Sequence, residues 1–430
     1  MAKSWKTDKH KRLRELLDSK LRSRIPESEH RAVPDGGFVA WAQVLGAHLT
    51  VCNSWGYVSA FGVFQTYYGE LLSRPASDIS WIGSIQVFML FFVGTFSGRA
   101  ADAGFFKLTW SIGAVLTVLG IFASSFAAQF WQLFLSQGIC MGLGCGLMFC
   151  PVVSLLPTYF SRHRCVVIGV AGAGSAVGGL LFPAIVSRLL PKIGFPWTMR
   201  VLGFMTLAML LPSGLLMKQR IPPRKSGPIV DLAAFRDLSY TLYSVGMFLT
   251  FWGLYVAFFY ISNFAKEVIG FSQENAVDLL LIMNGAGVFT RIGPNFLADR
   301  YTGPMNLTIP SALLSGIMML IWNCVSDRKG LYVFVVFYGI FAASFQALWP
   351  ATLASICLDM KTLGTRLGMV MTIISFASLT GPPIAGVLLE KGNGSYLYVQ
   401  LFAGLTMMLG TAAVLGARVR KYGLALQVRA

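Results

Sequence analysis

The chain has 430 residues, 55% of them hydrophobic and 12% charged, with a mean hydropathy of +0.64; that is too apolar for a water-soluble globule and places it in a lipid bilayer. Its formal net charge of +17 would suit a nucleic-acid partner, but Lys and Arg gather on one side of the apolar runs, so the excess reports membrane topology instead. The seven Cys form no CxxC pair and lie almost wholly within apolar runs, which supports neither a disulfide framework nor a thiolate metal site and leaves packing thiols.

Residues 1–34 are polar and basic. Leu13, Leu16, Leu17, Leu21 and Ile25 recur at spacings of three and four, which predicts a short amphipathic helix over Lys11–Ile25 lying on an anionic membrane surface. A disordered cytoplasmic tail is the alternative. No cleavable signal peptide is expected, because the first apolar run follows a long polar segment and is too long for one.

From Phe38 onward the hydropathy predicts twelve membrane spans, each long enough at 1.5 Å per residue to cross ~30 Å of hydrocarbon. They cover roughly 38–61, 79–99, 107–126, 131–153, 165–187, 198–217, 240–263, 276–298, 305–325, 331–355, 366–388 and 396–416. Between the sixth and seventh lies Lys218–Asp237, a hinge in which Lys218, Arg220, Arg224, Lys225 and Arg236 crowd together with Pro222, Pro223 and Pro228. The expected organisation is an N-terminal tail (1–37), a six-helix bundle (38–217), a cytoplasmic linker (218–239), a second six-helix bundle (240–417) and a short tail (418–430).

The two halves echo one another. Pro151, Gly169 and Pro183 reappear as Pro350, Gly368 and Pro382, each displaced by 199 residues, and Asp102 is answered by Asp299 at 197. A weak repeat of half the chain is the mark of a duplicated membrane bundle. Connections alternate in charge: the tails, the hinge, Arg99/Lys107, Arg162/Arg164, Arg300 and Lys361/Arg366 form the positive set. Both termini and the hinge should therefore face the cytosol. An Asn393-Gly-Ser395 sequon falls in an outer loop close to the membrane and is a weak candidate for glycosylation.

Arg291 is the costly residue: an Arg deep in a span is disfavoured by ~3 kcal/mol on insertion scales, so it needs a reason. Asn284, seven residues earlier, shares its face, and such a stripe should line a water-filled cavity. Either Arg291 binds an anionic substrate group or biases a coupling proton, or it is held in an internal ion pair with a neighbouring helix. In the first span His48, Cys52, Trp55 and Ser59 share a face with Asn53 beside it; His48 either exchanges a proton or is hydrogen-bonded to a neighbour. The seventh span carries Trp252, Tyr255, Phe259, Tyr260 and Asn263, and the tenth carries Gln346 and Trp349, which read either as pocket walls or as helix packing. Glycine clusters at 138–146 and 169–179 suit close helix contacts. HExxH, GxSxG and Walker-type motifs are absent from the sequence, so neither an enzyme nor an ATP-driven pump is expected.

These residues resemble the major facilitator superfamily and, within it, the fungal branch of the monocarboxylate porter family. Pro34-Asp35-Gly36-Gly37-Phe38 and Phe61-Gly-Val-Phe-Gln65-Thr-Tyr-Tyr68 are similar to that family's opening stretch. Tyr159-Phe160-Ser-Arg162-His-Arg164, leading to Gly169, Ala171 and Gly174, looks like its second signature. Gly98-Arg99-Ala-Ala-Asp102 and Leu297-Ala-Asp299-Arg300 are similar to the superfamily's loop motif.

The resemblance implies an all-α fold of about twelve transmembrane helices in two pseudo-symmetric bundles, alternating access and proton coupling. It implies that the loop-motif Asp residues lock helix ends and basic partners in one state, and that Arg291 engages a carboxylate. Two positions depart from the animal carriers, Gly287 where they have Asp and Ser59 where they have Lys, which argues against lactate–proton symport of that type. The expected function is secondary transport of a small organic solute, monocarboxylate-like or of the secondary-metabolite kind. Substrate contacts are expected from Arg291, Asn284, His48, Asn53, Trp55, Asn263, Gln346 and Trp349, and gating from Arg99, Asp102, Arg164, Asp299 and Arg300. Efflux of a pathway metabolite, riboflavin-like import and a non-transporting sensor with a carrier fold are the alternatives. No cofactor is expected, and the carrier is expected to be a monomer in the plasma membrane rather than in an internal one.

Overall fold

Inside hydrocarbon a backbone can satisfy its N–H and C=O groups only within its own helix, and the computed structural model of this chain is helical in every apolar run. It describes residues 33–74, 76–223, 229–357 and 359–423. The Lys11–Ile25 stretch and Arg224, Lys225 and Pro228 of the hinge lie outside the described residues.

In the first half, α1 (Gly37–Ser59) continues through Ala60 into α2 (Phe61–Leu72). Then come α3 (Ala76–Phe92), α4 (Gly94–Ala100), α5 (Phe106–Ser124), α6 (Phe130–Tyr159) and α7 (Arg164–Leu216). In the second half, α8 (Leu238–Glu267) and α9 (Gln273–Leu297) are followed by α10 (Pro304–Ile321), α11 (Arg328–Ile356), α12 (Leu363–Lys391) and α13 (Leu397–Tyr422).

Two apolar stretches are far too long to cross once. Asp78–Ser124 has 47 residues and Arg164–Leu216 has 53; at 1.5 Å per residue these would run roughly 70 and 80 Å, against ~30 Å of hydrocarbon. Each folds back at a glycine, Gly104 (φ 96°) and Gly194 (φ 72°), conformations that L side chains rarely adopt. The reversal in α7 is visible in its contacts. Gly174 packs on the His48 carbonyl, while Ser213 donates to the Gly46 carbonyl at 2.7 Å, so residues far apart in α7 stand at the same level of α1. Eight described helical segments pass on length and hydropathy; with these two counted twice, and with α1 and the more polar α9 added, the spans match the twelve apolar runs.

Helices within each half approach closely where small residues allow it. Gly56 of α1 meets Gly178 of α7, and Gly246 of α8 meets Gly410 of α13. The halves touch through two crossings related by the internal repeat. On one side Gly98 of α4 faces the Gly364 carbonyl of α12 and Gly368 faces that of Gly94; on the other, Gly169 of α7 faces the Arg291 carbonyl of α9. A Cβ at any of these positions would overlap the opposing backbone.

Beside these crossings the hinge straps the first half. Gln219 Nε2 donates to the Ala101 carbonyl at 2.9 Å and Arg220 Nη1 to that of Thr158 at 2.6 Å. Farther along, Asp231 pairs with Arg366 of α12 at 3.2 Å. The molecule is closed on this face and hollow towards the other. Asn393 lies on an exposed turn after α12 (φ 51°).

Candidate functional site

The hollow is a cavity of about 450 Å³ between the halves, within the range that takes small organic ligands. Its lining runs from Arg291, Ser175 and Gln346 in the interior to Gln65, Arg74, Asn263 and Lys266 at the helix ends away from the hinge.

Arg291 projects from α9 and is 5% exposed. Its Nη1 donates to Ser175 Oγ at 2.6 Å and its Nη2 to Gln346 Oε1 at 3.2 Å, so α7 and α11 hold the guanidinium from two sides. Its Nε, buried as well, has no acceptor. Among the described residues no carboxylate is seen paired with it. The internal ion pair that was the alternative reading of Arg291 is not seen among the described residues. A buried cation that keeps only neutral partners retains most of its field for a ligand.

Asn284, Trp55, Asn263 and Gln346 all line the same cavity. Asn284 Nδ2 donates to the Leu280 carbonyl at 3.0 Å one turn back, and Ser59 Oγ likewise donates to the Trp55 carbonyl. His48, Asn53 and Trp349 are not among the lining residues. His48 Nδ1 lies 2.7 Å from the Val170 carbonyl, which can only accept, so that nitrogen carries the proton and the ring joins α1 to α7. Asn53 is fully buried on the packing face of α1, its Nδ2 donating to the Leu49 carbonyl. Trp349 packs edge-on against Phe251, beneath the cavity. Helical spacing groups residues on one face and does not say which face turns inward.

The loop-motif residues stand at the closed face. Asp102 accepts from the Gly364 and Thr365 amides at 3.2 and 2.7 Å and from Thr365 Oγ1 at 2.7 Å, at the N-terminus of α12. Asp299 accepts from the Cys165 and Val166 amides at 3.0 and 2.8 Å, at the N-terminus of α7. Both sites match carboxylate to the unsatisfied donors and positive dipole of a helix start. Arg99 lies in the last turn of α4, less than one turn before Asp102. Arg164 Nε donates to the Phe160 carbonyl, and Arg300 extends over the Tyr301 ring.

Three contributions were not foreseen as site residues. Ser175 is a single hydroxyl in a glycine-rich stretch, and only its pairing with Arg291, 116 positions away, marks it. Arg74, paired with Asp78, and Lys266 sit at helix ends and also line the cavity. Asp35 accepts from the Ser161 hydroxyl and from the Ser161 and Arg162 amides (2.5 and 2.8 Å), so the opening motif braces the loop that leads into α7.

The chain's likeness to known proteins agrees with this geometry. The profile of the Major Facilitator Superfamily matches residues 46–357. An MFS-type transporter of Gibberella zeae is 43% identical over 406 residues, covering 94% of this chain and 92% of that protein. An aspyridones efflux protein of Emericella nidulans is 35% identical, covering 92% and 80%. Among solved structures, the human organic anion transporter MFSD10 (TETRAN) superposes with a TM-score of 0.71 at 14% identity, covering 87% of this chain and 98% of that one. The Escherichia coli fucose:proton symporter FucP superposes with a TM-score of 0.67 at 16% identity, covering 88% and 98%. Two pseudo-symmetric helical halves around a central cavity, with these relatives, make the chain a member of the major facilitator superfamily, a membrane transporter and not an enzyme.

Proposed function

We propose that the protein is an efflux carrier of an organic anion, working by rocking of bundles 38–217 and 240–417 about the cavity, with linker 218–239 and both termini in the cytosol. The observation that carries the reading is charge: the Arg291 guanidinium is buried in the cavity wall with the neutral Ser175 and Gln346 as its hydrogen-bond partners, and no Asp or Glu is among the described lining residues. Efflux is supported by the name of the Emericella relative, and export to the medium requires the plasma membrane. The monocarboxylate porter branch remains a proposal resting on the Asp35 and Tyr159–Gly174 motifs.

The coupling proton expected from the resemblance finds no carboxylate or imidazole among the described lining residues. The driving force then falls to the membrane potential, which expels an anion from a negative interior with about 2.3 kcal/mol per charge per 100 mV.

The test is Arg291→Gln in purified proteoliposomes. Loss of a buried charge-assisted anion contact should lower flux of the anion about 30-fold or more while leaving the amount of protein in the membrane unchanged. Equal flux by the variant would remove the assignment. A carrier-like sensor would move no anion in either form.

A further inference from the structure

Two rings from opposite halves meet inside the cavity. Trp55 of α1 and Tyr255 of α8 stand nearly parallel, centroids 6.1 Å apart with an interplanar angle of 10°, and both line the wall. Each is fixed from behind by its own half, Trp55 by Phe91 and Phe149, Tyr255 by Phe251 and Phe258. One turn below Tyr255, Phe251 meets Phe91 across the same boundary. The rings are therefore oriented before any ligand arrives, and a flat ligand lying against the pair touches both halves at once.

The polar end of the site is equally specific. Gln346 spends its Oε1 on Arg291 Nη2, which leaves its Nε2 buried with no acceptor, beside the equally orphaned Arg291 Nε. Buried donors without partners are rare in folded proteins and mark where an acceptor belongs. One donor is cationic and the other neutral, so the complementary ligand offers an anionic oxygen and a second oxygen near it. Trp55, Tyr255, Arg291 and Gln346 line one cavity, so the aromatic and polar features belong to one site.

We infer that the cavity is shaped for a planar conjugated acid with a second oxygen acceptor beside its carboxylate, as in an ortho-hydroxy aryl acid. The carboxylate sits on Arg291, the neighbouring oxygen on Gln346, and the ring against Trp55 and Tyr255. This narrows the organic-anion reading and rests on it. Because the ring contacts both halves, occupancy by a flat acid also biases how the bundles sit relative to one another.

The experiment is calorimetric titration of the full-length carrier in lipid nanodiscs with four probes: 1-hydroxy-2-naphthoate, 2-naphthoate, decahydro-2-naphthoate and 2-naphthamide. The hydroxy acid should bind best, about fivefold tighter than 2-naphthoate, from one added hydrogen bond. 2-Naphthoate should in turn bind about fivefold tighter than its saturated analogue, from lost aromatic contact. Gln346→Leu should erase the first difference and Trp55→Leu the second, each leaving the preference for acid over amide. Binding of the saturated acid as tightly as the flat ones, or of no naphthoate at all, overturns the inference. If the saturated and flat acids bind equally and Arg291→Gln abolishes both, the flat-acid inference fails and the anion reading stands. If the amide equals the acid and Arg291→Gln changes nothing, the anion reading fails with it.

Discussion

Asp102 and Asp299 make the same contact in opposite directions. Asp102, in the first half, caps the helix of the second half that starts at Leu363, and Asp299, in the second, caps the helix of the first that starts at Arg164. The two are separated by the internal repeat, as are Gly169 and Gly368 in the helices they cap. Each half therefore supplies both an anion and a helix N-terminus to the closed, hinge-side face.

Removing both anions should open that face. A carboxylate at a partly buried helix start is worth up to ~2 kcal/mol, so Asp102→Ala with Asp299→Ala should shift the bundle equilibrium by at least ten-fold. Cys150 and Cys165 are buried at these two contacts and report it directly. Their alkylation by a maleimide should quicken by about that factor in the double variant; unchanged rates would show that glycine packing alone closes the face.

Asp35 should give the brace before α7 a pH limit. Burial pushes its carboxyl up, but the Ser161 hydroxyl and the Arg162 and Ser161 amides that donate to it hold it below the ordinary value of 3.8. A depressed carboxylate contributes stability above its unfolded pKa that is lost as pH falls through the folded one. Thermal stability in detergent should hence be flat from about pH 7 to 5 on this account and fall below about 4. Asp35→Asn should lose that acid-side decline together with part of the stability at neutral pH.

Gly169→Ala should impair the carrier where Gly172→Ala does not. A Cβ at 169 would overlap the Arg291 carbonyl and approach the Asn295 side chain, whereas one at 172 would meet only Ala347 Cβ, 3.8 Å away. Overpacking of this kind costs about 1–3 kcal/mol. Unfolding temperature and anion flux should both drop for the first variant and stay near wild type for the second.

Transport should follow voltage. In proteoliposomes a potassium diffusion potential of 100 mV, positive on the side the anion moves to, should raise its accumulation ratio about 50-fold. A pH gradient without a potential should do little. The reverse ranking would return the driving force to a proton.

The twelve apolar runs, the basic hinge and the half-chain echo are properties of local composition, which is why hydropathy alone located the spans to within several residues. Arg291 was legible for a related reason: an ionised side chain in a long apolar run is costly wherever the rest of the chain lies. Residue pairing across the molecule was not legible. Nothing in a linear reading joins Ser175 to Arg291, turns His48 towards Val170 and away from the cavity, or sets Trp55 parallel to Tyr255. Those relations depend on how helices rotate about their axes and which glycines let them approach, and in a span apolar on every side hydrophobic periodicity carries no information about either. Membership in the bilayer was thus decided by the sequence itself, while the shape and chemistry of the cavity were decided only when the two halves came together.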